Sequence, residues 1–306
     1  MILFVSGRCD IPAYYSTWFF TRLEEGFVDV RNPFNPHQIS RIQLNPQNID
    51  VIVFCTKNPI PIMNKLDEVP FPFQMQVTFT PYREDIERLP NKKEILESIL
   101  TLADKLGEDR LVVRYDPICL SEVYTIEYHE VAFTKLCKTL QGRVGKIIIS
   151  FVDMYKNTKA NMETMRMVEM SEASMRKIGE VFGKISKQYG IRVQTCAEKI
   201  DLSEFGIIKG LCMDQKELEK IAGHSLSHIK GKGVRDTCAC MNSVDIGDYN
   251  CCAHHCLYCY ANYDAKQIEN RMKLHDPKSS VLIGRIEAED YIVERKEKSV
   301  LQDTLF

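Results

Sequence analysis

Short apolar segments rich in β-branched residues alternate with longer amphipathic segments through most of the chain. Six of the apolar segments predict β-strands: residues 2–6, 51–55, 75–79, 111–115, 146–150 and 191–195. Residues 94–106 carry apolar side chains at spacings of three and four, which predicts an amphipathic helix. A second helix is predicted over residues 171–190, between Ser171 as its N-cap and Gly190 at its end, and a third over residues 11–26.

Repeated strand–helix units predict an α/β fold with a parallel sheet, because each parallel crossover needs a covering helix. Six such units predict a partial or six-stranded parallel (β/α)6 barrel over residues 1–220. Residues 221–306 differ, since residues 221–256 are poor in apolar runs and rich in glycine, serine, aspartate and asparagine. We expect this part to be a C-terminal extension ordered by bound metal, with a tail that packs on the barrel.

The charge balance argues against a strongly basic surface. Lys and Arg total 40 against 42 Asp and Glu, which gives a net charge of −2 and no general field for nucleic acid or membranes. The apolar start is too short for a secretory signal, and no long apolar run predicts a membrane span. We therefore expect a cytoplasmic protein, in which twelve cysteines favour metal or redox chemistry over disulfides.

The most specific signal is a CxxxCxxC sequence formed by Cys252, Cys256 and Cys259. Three thiolates at this spacing can bind three irons of a [4Fe–4S] cluster, whereas structural zinc takes four ligands. The open iron would chelate S-adenosylmethionine, and an electron passed to this cofactor would start radical chemistry. Cys238 and Cys240, in a CxC sequence, would bind an auxiliary cluster or zinc, or brace the loop.

The remaining cysteines and the two histidines of the motif have simpler interpretations. Five cysteines lie in or near apolar segments and are expected in the core, where free cysteine acts as a small hydrophobe: Cys55, Cys119, Cys137, Cys196 and Cys212. His254 and His255 are expected to face solvent or to donate hydrogen bonds around the metal ligands, rather than to bind metal.

Polar residues follow the carboxyl ends of the predicted strands, where a parallel barrel gathers its functional groups. The expected cofactor contacts are Arg8, Asp10, Thr56, Lys57, Asn58, Arg114, Asp116 and, within the cysteine motif, Tyr258. The basic members would hold carboxylate or phosphate groups, and the acidic ones ribose hydroxyls or an amine. Tyr155 and Glu198 are the candidate catalytic residues, with Tyr155 as a relay of hydrogen.

Several segments together carry a resemblance to known proteins. They are DIPAYYSTWFFTRLEEGFVDVRNPFN (10–35), VIVFCTKNP (51–59), TFTPY (78–82), VVRYDPI (112–118), SFVDMY (150–155) and CACMNSVDIGDYNCCAHHCLYCYAN (238–262). In these segments the chain resembles an uncharacterised bacterial family described only as a domain of unknown function, over nearly its whole length to LQDTLF (301–306). It also looks like a radical S-adenosylmethionine protein.

Within that radical superfamily, the TKNP (56–59), RYDP (114–117) and YCYAN (258–262) segments are loosely similar to the spore photoproduct lyase relatives. The resemblance implies reductive cleavage of S-adenosylmethionine, a small-molecule or nucleotide-like substrate, and an electron donor such as ferredoxin or flavodoxin. The order of elements is permuted, because the cysteine triad usually follows the first strand of such barrels and here follows the sixth. A closed six-stranded barrel makes its first and last strands neighbours, so the loop can still lie over the mouth.

Two other functions stay open. The chain could be a zinc-stabilised binding module that contacts nucleic acid through Lys230, Lys232 and Arg235. It could also be an iron–sulfur electron-transfer protein, whose cluster would not respond to S-adenosylmethionine. Colour separates the first from the leading hypothesis, since iron–sulfur clusters are brown and zinc sites are colourless.

Overall fold

The computed structural model describes residues 1–231, 235, 237–296 and 299–301. Its strands are β1 (Ile2–Val5), β2 (Phe27–Asn32), β3 (Asn35–Gln43), β4 (Val51–Thr56), β5 (Phe73–Thr78), β6 (Leu111–Ile118), β7 (Lys146–Phe151), β8 (Arg192–Cys196), β9 (Ile208–Gly210), β10 (Ser243–Asp245) and β11 (Tyr291–Glu294). Its α-helices are α1 (Ile11–Tyr14), α2 (Ser16–Glu25), α3 (Ile60–Met63), α4 (Lys92–Arg110), α5 (Ile126–Leu140), α6 (Lys159–Thr164), α7 (Glu172–Tyr189), α8 (Gln215–Ala222) and α9 (Ala265–Met272).

Eight of the described strands form one parallel sheet in the order β10-β1-β4-β5-β6-β7-β8-β9. All six predicted strands are present and lie side by side as β1, β4, β5, β6, β7 and β8, so the predicted α/β fold with a parallel sheet is confirmed. The sheet has eight strands rather than six, and within the described residues no pairing joins its edge strands β9 and β10. A smaller sheet contains β11, β3 and β2.

The main sheet is strongly curved. In a flat sheet β8 and β10 would be six strand spacings apart, about 29 Å. Yet the thiol of Cys196, in β8, lies within 4.8 Å of the thiol of Cys240, three residues before β10. Three residues of chain and two cysteine side chains span less than about 22 Å. The sheet must therefore curl about one face, which brings β8 towards the segment that leads into β10.

Helices cover the convex face of this sheet. α4, α5 and α7 bury their apolar faces there, and Phe133 of α5 stacks on Phe182 of α7 with ring centroids 3.9 Å apart. α7 begins and ends as predicted: the Ser171 side chain accepts a hydrogen bond from the Ser174 backbone N–H, and Gly190 ends the helix with φ 66°. The predicted helix over residues 11–26 is divided into α1 and α2.

The concave face changes character along the strands. Near their amino ends it is apolar and is covered by α8 and by Met241, which pack on β1, β4 and β6. Towards the carboxyl ends it presents polar side chains such as Gln76, Arg114 and Gln194. The predicted boundary at residue 220 stays a prediction, although β10 lies beyond it and pairs with β1. No described helix combines the length and apolar character needed to cross a bilayer.

Candidate metal and cofactor site

The loop with the CxxxCxxC sequence follows β10 and lies against the carboxyl end of β1. Asn262 fixes this position, because its side-chain oxygen accepts hydrogen bonds from the backbone N–H groups of Cys251 (2.8 Å) and Cys252 (3.0 Å). Its side-chain amide donates to the Arg8 carbonyl at 2.6 Å. The Tyr260 hydroxyl donates to the Gly7 carbonyl at 3.1 Å. The loop therefore lies over the carboxyl end of β1.

The same loop also reaches the connections after β5 and β7. The Leu257 backbone N–H donates to the Ile86 carbonyl at 3.0 Å, and the Arg88 N–H donates to the His254 carbonyl at 2.6 Å. Past β7, the Asn157 side chain donates to the Tyr260 carbonyl at 2.6 Å. The cysteine loop thus spans several strand ends on the carboxyl side of the sheet.

The three predicted ligands lie near one another, but not as the ligands of a single ion. Cys252 and Cys256 are buried and Cys259 is partly exposed. Burial raises the pKa of the Cys252 and Cys256 thiols, and each of these thiols also interacts with the Cys259 thiol. Among the described residues, the three cysteines whose sulfurs all lie within 4.8 Å of one another are not these three but Cys196, Cys212 and Cys240. The triad is therefore more open than a mononuclear metal site.

Asp10 connects the cysteine loop to the first two strands of the predicted barrel. One oxygen of its side chain caps α1 by accepting from the Ala13 N–H at 3.0 Å, and the other accepts from the Lys57 N–H at 2.7 Å. The Nε2 atom of His254 lies 2.7 Å from the same Asp10 oxygen, and its Nδ1 atom lies 3.0 Å from the Tyr14 hydroxyl. His254 is 2% exposed, so it does not face solvent but orients the loop against Asp10.

A buried carboxylate that the sequence analysis missed, Glu87, lies beside the loop. Its two oxygens accept from Lys57 (2.9 Å), Lys92 (2.8 Å) and Tyr258 (2.6 Å). Burial alone would raise the pKa of Glu87, but the two ammonium groups and their hydrogen bonds lower it to about 2. Lys57 and Tyr258, two of the predicted cofactor contacts, are thus connected through Glu87. In the sequence, Glu87 lies two residues after the polar TPYRED segment (80–85).

Arg114 and Asp116 form an ion pair on the concave face of the sheet. The Arg114 Nε donates to Asp116 at 3.1 Å, and its Nη1 donates to the Gln76 side chain at 2.9 Å. Ser150 donates to the other Asp116 oxygen at 3.3 Å. The side chains of Arg114 and Asp116 are 14% and 9% exposed, so this pair forms a partly enclosed polar floor across β5, β6 and β7.

A second group of thiols lies on the same face. Cys196, Cys212 and Cys240 place their sulfurs within 4.8 Å of one another, and 3.4 Å separates the sulfurs of Cys212 and Cys240. This group could bind a metal ion. The interpretation of Cys196 and Cys212 as simple core residues is therefore incomplete, while Cys240 keeps its predicted role as a candidate ligand. Cys238 is partly buried nearby and is not a member of the group.

A family described as a domain of unknown function (DUF1848) matches residues 2–261. The chain belongs to this family. Its expected resemblance to an uncharacterised family is thus confirmed over those residues. Of LQDTLF (301–306), which lies beyond the match, residues 302–306 fall outside the described residues. No curated protein and no solved structure matches the chain. Membership of this family assigns no reaction to the chain.

Three of the predicted cofactor contacts already interact with other groups of the protein. Thr56 accepts from the Asn58 N–H at 3.0 Å and Asn58 from the Ile60 N–H at 3.3 Å, so both shape the turn after β4. Arg8 donates to the Gly247 carbonyl at 3.3 Å, and its guanidinium lies 5.3 Å from the centroid of the Tyr249 ring. The role of all three in cofactor binding stays a prediction.

The two candidate catalytic residues lie at the ends of β7 and β8. The Tyr155 hydroxyl donates to Asp153 at 3.1 Å. Glu198 accepts from the Phe151 N–H at 2.9 Å and forms an ion pair with Arg235, which is also paired with Asp153. Burial raises the pKa of Glu198 in spite of Arg235. Their catalytic roles stay predictions.

Arg235 is one of the three residues expected to contact nucleic acid, but its side chain interacts with other residues of the protein. Its guanidinium is paired with Glu198 and Asp153 and donates to the Phe151 carbonyl. Lys230 is exposed, and Lys232 lies outside the described residues. The geometry of Arg235 therefore gives no support to a nucleic-acid interface at this place.

Proposed function

We propose that this chain is a radical S-adenosylmethionine enzyme that binds a [4Fe–4S] cluster through Cys252, Cys256 and Cys259. One observation carries the proposal: the CxxxCxxC loop follows β10, and β10 pairs in parallel with β1 at the edge of the sheet. In sheet order, β10 precedes β1, β4 and the other strands of the predicted barrel. The motif therefore follows the strand that comes first in sheet order, although it comes late in the chain. This position supports the comparison with radical-family barrels, in which the motif follows the first strand.

The donor set fits such a cluster better than it fits one ion. The triad supplies three thiols, the number that leaves one iron of a [4Fe–4S] cluster without a protein ligand. Thiolates on different irons of a cubane are also further apart than ligands of one ion, in agreement with the open arrangement of this triad. When bound, a cluster with one open iron supplies a binding position for the amino and carboxylate groups of S-adenosylmethionine and an electron for cleaving its carbon–sulfur bond.

The protein groups around the triad would bind and orient that cofactor. Asp10 and the Lys57 backbone hold the loop, while Glu87 neutralises the Lys57 ammonium group beside Cys256. The Arg114 and Asp116 pair forms the floor, and these two charged side chains would offer hydrogen bonds to a charged cofactor bound above them. Tyr155 and Glu198 would lie on the substrate side of this floor, with Tyr155 as the hydrogen relay.

Anaerobic reconstitution with iron and sulfide tests the proposal. We expect about four irons per chain, as a [4Fe–4S] cluster requires, an electron paramagnetic resonance signal that shifts on addition of S-adenosylmethionine, and 5′-deoxyadenosine after reduction with dithionite or a flavodoxin. Each of the variants Cys252→Ala, Cys256→Ala and Cys259→Ala should lose the cluster. Cys137→Ala is the control, because Cys137 is a buried thiol of α5 that belongs neither to the triad nor to the group of Cys196, Cys212 and Cys240.

Two results would overturn the proposal. If the folded protein binds no iron under these conditions, the chain does not bind an iron–sulfur cluster. A cluster whose signal ignores S-adenosylmethionine, with no 5′-deoxyadenosine formed, would assign the chain to iron–sulfur electron transfer instead.

A further inference from the structure

The second thiol group joins three separate parts of the chain. Cys196 ends β8, Cys212 follows β9, and Cys240 precedes β10. Cys196 and Cys240 are buried, and Cys212 is partly buried. These thiols are 16 and 28 residues apart in the sequence, so their meeting is a product of the fold and not of a local motif. Nothing in the proposed radical chemistry uses them.

The spacing of these three sulfurs is that of ligands to one ion. With zinc–sulfur bonds of about 2.3 Å, tetrahedral thiolates are about 3.8 Å apart. Here all three sulfurs lie within 4.8 Å of one another, and the Cys212 and Cys240 sulfurs are 3.4 Å apart. Small side-chain adjustments would bring them to the zinc geometry. Among the described residues, the triad of the cysteine loop does not have all three of its sulfurs within 4.8 Å of one another.

We propose that Cys196, Cys212 and Cys240 bind a single Zn²⁺ ion. Thiolate ligands select soft or borderline ions, and zinc imposes no geometry of its own on a trigonal set of ligands. Binding would replace the thiol protons, which go to solvent, so no oxidant or reductant is needed. Three protein ligands leave a fourth position for water or an exogenous thiol.

The charge around the group favours this occupant. Three thiolates and one divalent cation leave one negative charge in a buried place, which is costly without a counter-charge. The Arg114 guanidinium interacts electrostatically with both Cys212 and Cys196. The Gln76 side chain, which accepts a hydrogen bond from Arg114, donates to the Cys212 carbonyl and holds this segment on β5. A cation and a fixed backbone thus flank the proposed site.

The ion would connect the C-terminal extension to the sheet. Cys240 lies three residues before β10, and β10 leads directly into the cysteine loop. Closing a 44-residue stretch, from Cys196 to Cys240, is entropically unfavourable, and a metal bond offsets that loss. Zinc at this place would therefore help to hold β10 beside β1, whichever chemistry the loop performs.

The test uses the full chain with the other site removed, so that the two proposals fail separately. In the variant Cys252→Ala/Cys256→Ala/Cys259→Ala we expect about one zinc ion per chain by elemental analysis. Adding Cys212→Ala should abolish that zinc, whereas adding Cys137→Ala should retain it. Equal zinc in the last two proteins, or no zinc in the parent after zinc is supplied, would overturn the proposal.

A second measurement avoids substitutions in the thiol group, in case they prevent folding. In the wild-type chain, bound zinc should protect Cys196, Cys212 and Cys240 together from alkylation, and a chelator should expose all three together. Cobalt in place of zinc should give thiolate-to-metal charge-transfer absorption. If mass spectrometry instead finds a Cys212–Cys240 disulfide, with two hydrogens lost, in protein purified without oxidant, the zinc proposal is wrong.

Discussion

The buried carboxylate Glu87 permits a quantitative prediction, because it links two lysines beside the cysteine loop. Its pKa is lowered from 4.5 to about 2, which corresponds to about 3 kcal/mol of folding free energy at neutral pH. In Glu87→Gln, the Lys57 and Lys92 ammonium groups lose their buried counter-charge. Removing one member of a buried pair costs about 3–5 kcal/mol. We therefore expect the variant to unfold about 3 kcal/mol more easily at pH 7.

The pH dependence gives this prediction its sign. A carboxyl whose pKa is lowered by folding stabilises the protein above its unfolded pKa, and this contribution disappears as the pH falls from 4.5 towards 2. Urea unfolding, followed by circular dichroism from neutral pH to about pH 3, should show the wild-type and Glu87→Gln free energies converging on acidification. Two parallel curves across that range would refute the reasoning.

The matched control is Glu84→Gln, in the same connection after β5. The Glu84 side chain is exposed, and substitutions at exposed positions usually change stability by less than about 0.5 kcal/mol. Its unfolding curve should follow that of the wild type at every pH. A loss in Glu84→Gln as large as in Glu87→Gln would mean that the loop, and not the buried charge, determines the effect.

Two further predictions concern packing and the loop. Gly183→Ala would place a Cβ atom 2.1 Å from the carbonyl oxygen of Phe205, so it should lower the free energy of unfolding in urea by about 1–3 kcal/mol. Gly179→Ala meets a leucine side chain at 2.9 Å and should lower it by less, because a side chain can move. Equal losses of stability in the two variants would contradict this packing. Asn262→Ala removes the acceptor for the Cys252 N–H and should lower the iron retained after reconstitution and gel filtration. Asn262→Asp keeps an acceptor and should retain more, so equal iron in both variants would contradict the positioning role.

The central strands were predictable because each is buried on both faces. A strand covered on both faces has a nearly continuous run of apolar residues in its sequence, as in KIIIS (146–150) within β7. β9 and β10 escaped prediction because each is three residues long and lies at an edge. The sequence of β10, SVD, has no run to detect, and its strand conformation depends on pairing with Ile2, Leu3 and Phe4 of β1.

The site was predictable where residues follow strands, and not where tertiary contact alone unites them. Asp10, Lys57 and the cysteine triad could be expected on the same side, because carboxyl ends of parallel strands share one edge. Glu87 carried no such signal, since it lies in a connection and becomes special only when two lysines surround it. Cys196 and Cys212 likewise have ordinary sequence surroundings, and only the curvature of the sheet brings their sulfurs to Cys240.

β10 lies in the chain between Cys240 and the CxxxCxxC loop, and it is a short strand. It has three residues and pairs with β1 alone among the described strands. Asp245 adds hydrogen bonds from Ser6 (2.7 Å) and the Gly7 N–H (2.8 Å). In the chain, Cys240 precedes this strand and the CxxxCxxC loop follows it, so metal bound at either thiol group would help to hold β10 in place. Loading of one site should therefore assist loading of the other, because both depend on the same short strand being in place.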